Sequence, residues 1–374
     1  MNALQRFSAS MEYQPLDRVP NWEAGAWPQT WKRWEDEGAA VPNDERHWFY
    51  GCDLLGLDRR EFIHFNGQAI PPFRQEVLES SEEYEILRDS KGRVRKALKA
   101  GAIGGARMSM DQYLRFAVET PEDWAEVKKR FDPRDARRYE ANWREVSPAQ
   151  WKARQTPLIF APNTQTMGFY WVAREFLGTE NLSYAWYDQP GLMHDMMEFW
   201  ADFLIEAGRP ILEATDLEYI CLAEDMAMKS GPLLSPATYK EFIFPRLKRV
   251  IEFYKSNGTR YICIDTDGNP EALIPLLLDA GVDCLWPLER AAEQDPIRLR
   301  RKFGRSLRLW GAVDKRELAK GPAAIAAHLK AMRPLIEEGG FIPTVDHTVP
   351  PDVSWSDFQY YMEAKRLLLR GELR

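Results

Sequence analysis

The sequence predicts an α/β fold: a (β/α)8 TIM barrel with an N-terminal extension and a β-ribbon insertion. Two observations lead there. From residue 155 onward, short apolar runs alternate with amphipathic helical stretches of ~10–20 residues, the pattern of βαβ units and a parallel sheet. No glycine-rich phosphate turn follows an early strand, which disfavours a doubly wound sheet. Gly101, Gly104 and Gly105 do not make a GxGxxG between strand and helix and are read as a loop. The 374 residues suit one barrel, a fold that runs from ~200 to more than 400 residues with insertions. No repeat, low-complexity tract or Pro/Ser linker divides them, so residues 1–374 are expected to form one domain.

The N-terminal part is rich in Trp and Pro, with Trp22, Trp27, Trp31, Trp34 and Trp48 close together. Between residues 73 and 99 two β-leaning runs flank Ser90-Lys91-Gly92, a hairpin turn signal, so this segment is expected to be a ribbon outside the barrel. Thr120-Pro121-Glu122-Asp123 opens a helix with a hydroxyl cap, a proline in the first turn and early acids. The strands are then PLIFAP, LEYICLAE, YICI, DCLWPLE, LRLWG and FIPTV. A long helical stretch to Ala214 follows the first, and later helices open at Ser235-Pro236, Asn269-Pro270, Asp295-Pro296 and Pro322. A last helix runs to Leu369, and two further staves are expected from the N-terminal part.

Composition narrows the function. Hydrophobic residues are 45% of the chain and include 14 Trp and 18 Phe, enough to fill a large core and exclude wholesale disorder. Lys+Arg number 50 against 57 Asp+Glu, a net charge of −7 that lacks the cationic surplus of a nucleic-acid binder. No apolar run approaches the ~18 residues of a membrane span, and MNALQRFSASMEY has no secretory h-region. Cys52, Cys221, Cys263 and Cys284 are scattered without a CxxC pair and read as reduced core thiols. A cytoplasmic enzyme is the expectation.

In a barrel the chemistry sits at the C-terminal ends of the strands. Here PLIFAP leads to Asn163, LEYICLAE to Glu224-Asp225, and YICI to Asp265-Thr266-Asp267-Gly268-Asn269. DCLWPLE ends on Glu289, LRLWG leads to Asp314-Lys315-Arg316, and FIPTV to Asp346-His347. Any one of these residues has the alternative of capping a helix or closing a salt bridge, but six polar tips in succession point to an active site. If strand geometry persists to Asp267, Asp265 and Asp267 share a face and either bind a cation or share a proton; otherwise Asp267 is a turn or cap residue. His347 is the only histidine at a strand tip, where Asp346 is placed to fix its tautomer or to stand beside a ligand. Trp22 and Glu23 in the N-terminal part, with Asn163, Asp225, Asn269, Glu289 and Arg316, are candidate substrate contacts; Lys315 joins Glu224, Asp267 and His347 as catalytic candidates.

At these residues the chain resembles the uroporphyrinogen decarboxylase superfamily, which includes the decarboxylase and zinc-dependent methyltransferases that exchange methyl groups with corrinoid proteins or coenzyme M. The resemblance extends from RFSASMEYQPLDRVPNW to the final helix, with GPLLSPATYKEF, DTDGNPEALIPLLLDAGVD, GAVDKRELAKG and GGFIPTVDHTVPPD as its most specific pieces. It implies a (β/α)8 barrel with a deep cleft, often in a homodimer. Two departures stand out. NWEAGAWPQTWKRW replaces the arginine-bearing segment with which the decarboxylase holds substrate carboxylates. The methyltransferases' His-x-Cys-Gly-Asn segment and later Cys correspond here to Asp265, Asp267 and His347.

The resemblance therefore implies a metal set of Asp265, Asp267, His347 and Glu224, harder than a thiolate-rich zinc centre and suited to an oxygen substrate. The expected function is methyl transfer from an oxygen-linked small molecule to a corrinoid protein, with zinc assistance and the corrinoid supplied by that partner. The alternatives are decarboxylation of uroporphyrinogen or another carboxylate, and a non-catalytic module that binds a tetrapyrrole or a corrinoid protein.

Overall fold

The computed structural model describes residues 1–99, 102–103, 106–107, 111–140, 143–146, 148–160 and 166–373. Asn163 and the glycines at 101, 104 and 105 lie outside the described residues.

Seven strands form a curled parallel sheet in chain order: β1 (Glu61–Ile63), β2 (Leu158–Phe160), β3 (Leu217–Ala223), β4 (Thr259–Asp265), β5 (Cys284–Leu288), β6 (Arg308–Val313) and β7 (Phe341–Val345). All six apolar runs singled out after residue 155 are strands, and the two-residue strand Thr166–Met167 adds to β3. Strands β2, β3 and β7 are buried at every position, as expected of a sheet covered on both faces. An extended N-terminal segment contacts both outer strands' neighbourhoods: Asp58 N–H donates to the Asn21 carbonyl, while Val349 N–H donates to Gly25 and Trp27 N–H to Val349.

Cys221, Cys263 and Cys284, far apart in sequence, are lateral neighbours in the sheet, where Cys263 pairs in register with the other two. All four cysteines are buried and unbridged, and burial pushes the Cys263 thiol well above its ordinary value.

Two helical expectations change. The stretch before Ala214 is three helices: α1 (Phe169–Leu177), α2 (Thr179–Asp188) and α3 (Pro190–Leu212). Gly178 has φ +78 and its Cβ position is filled by the Phe116 ring, while Pro190 starts α3 because its missing N–H is harmless in a first turn. The helix from Pro322 breaks after Ala331 and restarts at Arg333, where Pro334 lacks the amide a continuous helix would need. Most other boundaries follow their sequence signals, but after Asn269-Pro270 a 3-10 turn (Glu271–Leu273) precedes the α-helix (Ile274–Ala280). Thr120 makes a capping box with Asp123, Ser235 and Asp295 cap their helices, and the last helix, α4, spans Trp355–Leu369.

The ribbon is larger than two strands. Glu76–Ser80, Tyr84–Arg88, Val94–Leu98 and Gln112–Arg115 form a separate antiparallel sheet. Its central turn is held by Asp89, which accepts from Lys91 N–H and Arg93 N–H at 3.0 Å each. Lys91 reaches Glu175 of α1 at 2.6 Å, tying the ribbon to the mouth of the main sheet. Among the described residues no helix is long and apolar enough to cross a membrane.

Candidate active site

The C-terminal ends of β3, β4, β5 and β7 surround a cavity of about 320 Å³ whose lining includes Asp225, Asp265, Asp267 and His347 together with Phe49, Trp171 and Trp286. β4 stops at Asp265, so the pairing of the two aspartates does not come from strand alternation. The chain turns through Thr266, yet both carboxyl groups still reach the cavity. The turn needs glycine at 268, with φ +76 and a Cβ position only 2.6 Å from the Ala227 carbonyl oxygen.

His347 Nε2 stands 3.6 Å from Asp267 Oδ2, and its Nδ1 is 2.9 Å from the Thr348 hydroxyl. Hydrogen bonding to Asp267 raises the imidazole pKa and outweighs the opposing effect of burial. Asp225, at φ +44, contacts Arg174 at 3.4 Å; burial, followed by the Asp267 charge, raises its pKa. Lys315 lies 3.2 Å from Glu289, whose other oxygen accepts from Gly268 N–H at 2.9 Å. Glu289 thereby links the lysine to the turn that carries Asp267.

Several sequence candidates are occupied elsewhere. Glu224 is fully buried and accepts from Phe169 N–H at 3.1 Å and Tyr170 N–H at 2.7 Å, capping α1. Burial raises its pKa from 4.5 to about 7 in spite of these bonds. Asp346 accepts from the amides of Arg290 and Lys315, so the group that meets His347 Nδ1 is Thr348, not Asp346. Arg316 is clamped on Asp314 with its side chain largely exposed. Asn269 accepts from Glu271 N–H at 3.1 Å, a local turn bond. Glu23 is buried against Lys365 at 2.5 Å, and Trp22 lines a smaller inner chamber.

The aromatic wall was not picked out from sequence. Trp171 sits in the first turn of α1 and Trp286 inside β5. A large aromatic next to a polar strand tip was the available signal.

A zinc centre needs three or four protein donors at bond lengths of ~2.0–2.3 Å. Among the described residues no three His, Cys, Asp or Glu side chains are grouped to hold a metal ion. Glu224 is engaged with helix amides, and the His347 Nε2 edge is turned to Asp267. The set as placed does not fit a zinc centre. It forms an acid–base pair on the wall of a partly aromatic cavity.

A curled parallel sheet with its polar groups at the strand ends defines a barrel-like α/β architecture. The same architecture occurs in a methyltransferase from Methanosarcina mazei, with a TM-score of 0.61 at 15% identity over 98% of both chains. The uroporphyrinogen decarboxylase (URO-D) family model matches residues 166–367, more than half of the sequence, and the chain belongs to that family. The methylated-thiol–coenzyme M methyltransferase of Methanosarcina mazei is 26% identical over 159 residues, which span 42% of this chain and 38% of that protein.

Proposed function

We propose that this protein is a methyltransferase that removes a methyl group from an oxygen-linked small molecule held in the aromatic cavity and passes it to an acceptor carried by a partner protein. The observation that carries the reading is the His347–Asp267 pair at 3.6 Å on the cavity wall. When a methyl–oxygen bond breaks, the electron pair stays on oxygen, and an alkoxide or phenoxide leaves far more readily if it is protonated at the same time. Asp267 favours the cationic form of His347, and the pair, on the cavity wall, is the proton source for that oxygen. A thiolate leaves as a stable anion and has less need of such an acid, so the pair favours oxygen over sulfur as the methyl-bearing atom.

Kinship supports methyl transfer, since a family relative carries that activity. A corrinoid borne by the partner would serve as the methyl acceptor. Decarboxylation of a porphyrinogen with eight carboxylates is disfavoured, because no Lys or Arg is among the described residues lining the cavity. In this reading the Asn21–Trp27 segment serves as the eighth stave, closing the curled sheet into a barrel.

The test is anaerobic incubation with a panel of methyl ethers and free cob(I)alamin, following methylcobalamin spectroscopically. Methylcobalamin formation that falls about 10²–10⁴-fold in His347→Ala supports the reading, the usual range for loss of a general acid. Conversion of uroporphyrinogen to coproporphyrinogen with no methyl transfer would replace it.

A further inference from the structure

Beneath the active-site cavity, and sharing Phe49 and Trp286 with it, lies a small inner chamber of about 30 Å³. The two shared rings pack edge to face with centroids 6.4 Å apart. At ~10–15 Å³ per water-sized group, the chamber has room for roughly two oxygen atoms.

Its polar lining consists mostly of donors. Arg60 donates from Nε to the Phe49 carbonyl at 3.0 Å and from Nη1 to the Tyr219 hydroxyl at 3.2 Å. Its Nη2 has no partner among the described residues, and neither do the indole nitrogens of Trp22 and Trp310. All three residues are more than nine-tenths buried: Arg60 is 7% exposed, Trp22 3% and Trp310 5%. The guanidinium lies over the Trp22 ring, 4.3 Å from its centroid. Glu23 is the one carboxylate on the chamber wall, and its oxygens are taken by Lys365, Tyr361 and Val345 N–H.

A buried guanidinium without a counter-ion, beside two unmet indole N–H groups, is a costly arrangement unless an acceptor of opposite charge fills the space. Water would answer the donors but not the charge. We propose that this chamber is a carboxylate-binding subsite in which Arg60 Nη2 and the indole N–H groups of Trp22 and Trp310 hold the anionic head of the substrate. The substrate class is then a methyl ether bearing a carboxylate. This second step rests on the proposed function, whereas the anion site itself does not.

The experiment separates the two. Formate, which is small enough for the chamber, is titrated against the protein at constant ionic strength, with thermal stabilisation and calorimetry as readouts and neutral formamide as the control. Wild type should bind formate and ignore formamide. Arg60→Met should weaken formate binding at least about tenfold, as expected for truncating one partner of a buried charge pair. Trp310→Phe, which keeps an aromatic ring and removes one donor, should weaken it less, and it carries the test if Arg60→Met does not fold. Equal responses to formate and formamide, or formate binding unchanged in both variants, would overturn the subsite. Methoxybenzoate turned over with the same kcat/KM as methoxybenzamide would overturn the substrate class. Arg60-dependent formate binding without any methyl transfer would leave the subsite standing and remove the proposed function.

Discussion

At the scale of single residues, the proposed chemistry depends on the protonation state of His347. Asp267 stabilises the imidazolium, so the histidine stays charged above its ordinary value of 6.5. Activity that needs the cation should be constant at low pH and fall as pH rises through the raised pKa. In Asp267→Asn the supporting charge is gone, burial and Lys315 still oppose the cation, and the fall should move to lower pH with a smaller maximum rate. A pH–kcat/KM profile of the two proteins checks this, and coincident profiles would remove Asp267 from the mechanism. The stability linkage has the same sign: a raised histidine pKa stabilises the fold below the unfolded value, and that contribution is lost as pH rises through the folded one. Sequence alone pointed to Asp267 and His347, because a histidine and paired acids at strand tips are unusual in composition. It could not place Arg60, whose significance lies in what surrounds it rather than in any local pattern.

At the scale of elements, the six later strands were legible because each is a short apolar run bounded by helix caps and glycines. The N-terminal segment 21–27 was not, since it pairs through isolated backbone bonds and carries no alternating pattern. Glu224 shows why a strand-tip acid need not be catalytic. It directly follows β3, facing the start of α1, and the Cβ position of Gly168 lies 2.3 Å from the Glu224 carboxyl carbon, so only glycine admits the carboxylate there. With its pKa raised from 4.5 to about 7, the folded protein holds a proton in that window that the unfolded chain releases. Wild type should therefore lose stability relative to Glu224→Gln as pH rises from about 4.5 to about 7, and level off above it. At ~1.4 kcal/mol per pH unit the difference should approach ~3 kcal/mol. Denaturant titrations across this range measure it, and a pH-independent difference would mean that Glu224 is ionised throughout.

At the scale of the whole molecule, the two ends of the chain are locked together by a buried polar cluster. Lys365 of α4 donates to the Trp22 carbonyl and to Glu23, Tyr361 donates to Glu23, and Glu23 accepts from Val345 N–H at the end of β7. Both Lys365 and the Glu23 side chain are fully buried, and burial lowers the lysine pKa against the pull of Glu23. Removing one partner leaves an uncompensated charge inside, so Lys365→Met should cost about 3–5 kcal/mol. A double variant, Glu23→Gln with Lys365→Met, removes both charges and should recover part of that loss, since a neutral amide can still accept from Val345 or Tyr361. The pair is out of reach of solvent ions, so the coupling energy from a double-mutant cycle should be nearly unchanged by salt, unlike that of an exposed pair such as Lys32–Asp36. A cycle showing no coupling, or coupling that salt abolishes, would mean that the ends of the chain are held by apolar packing alone. Because Glu23 also lines the chamber occupied by Arg60, the single variant Lys365→Met has a second consequence. It frees a carboxylate beside the guanidinium, and formate binding should weaken in that variant and return in the double one.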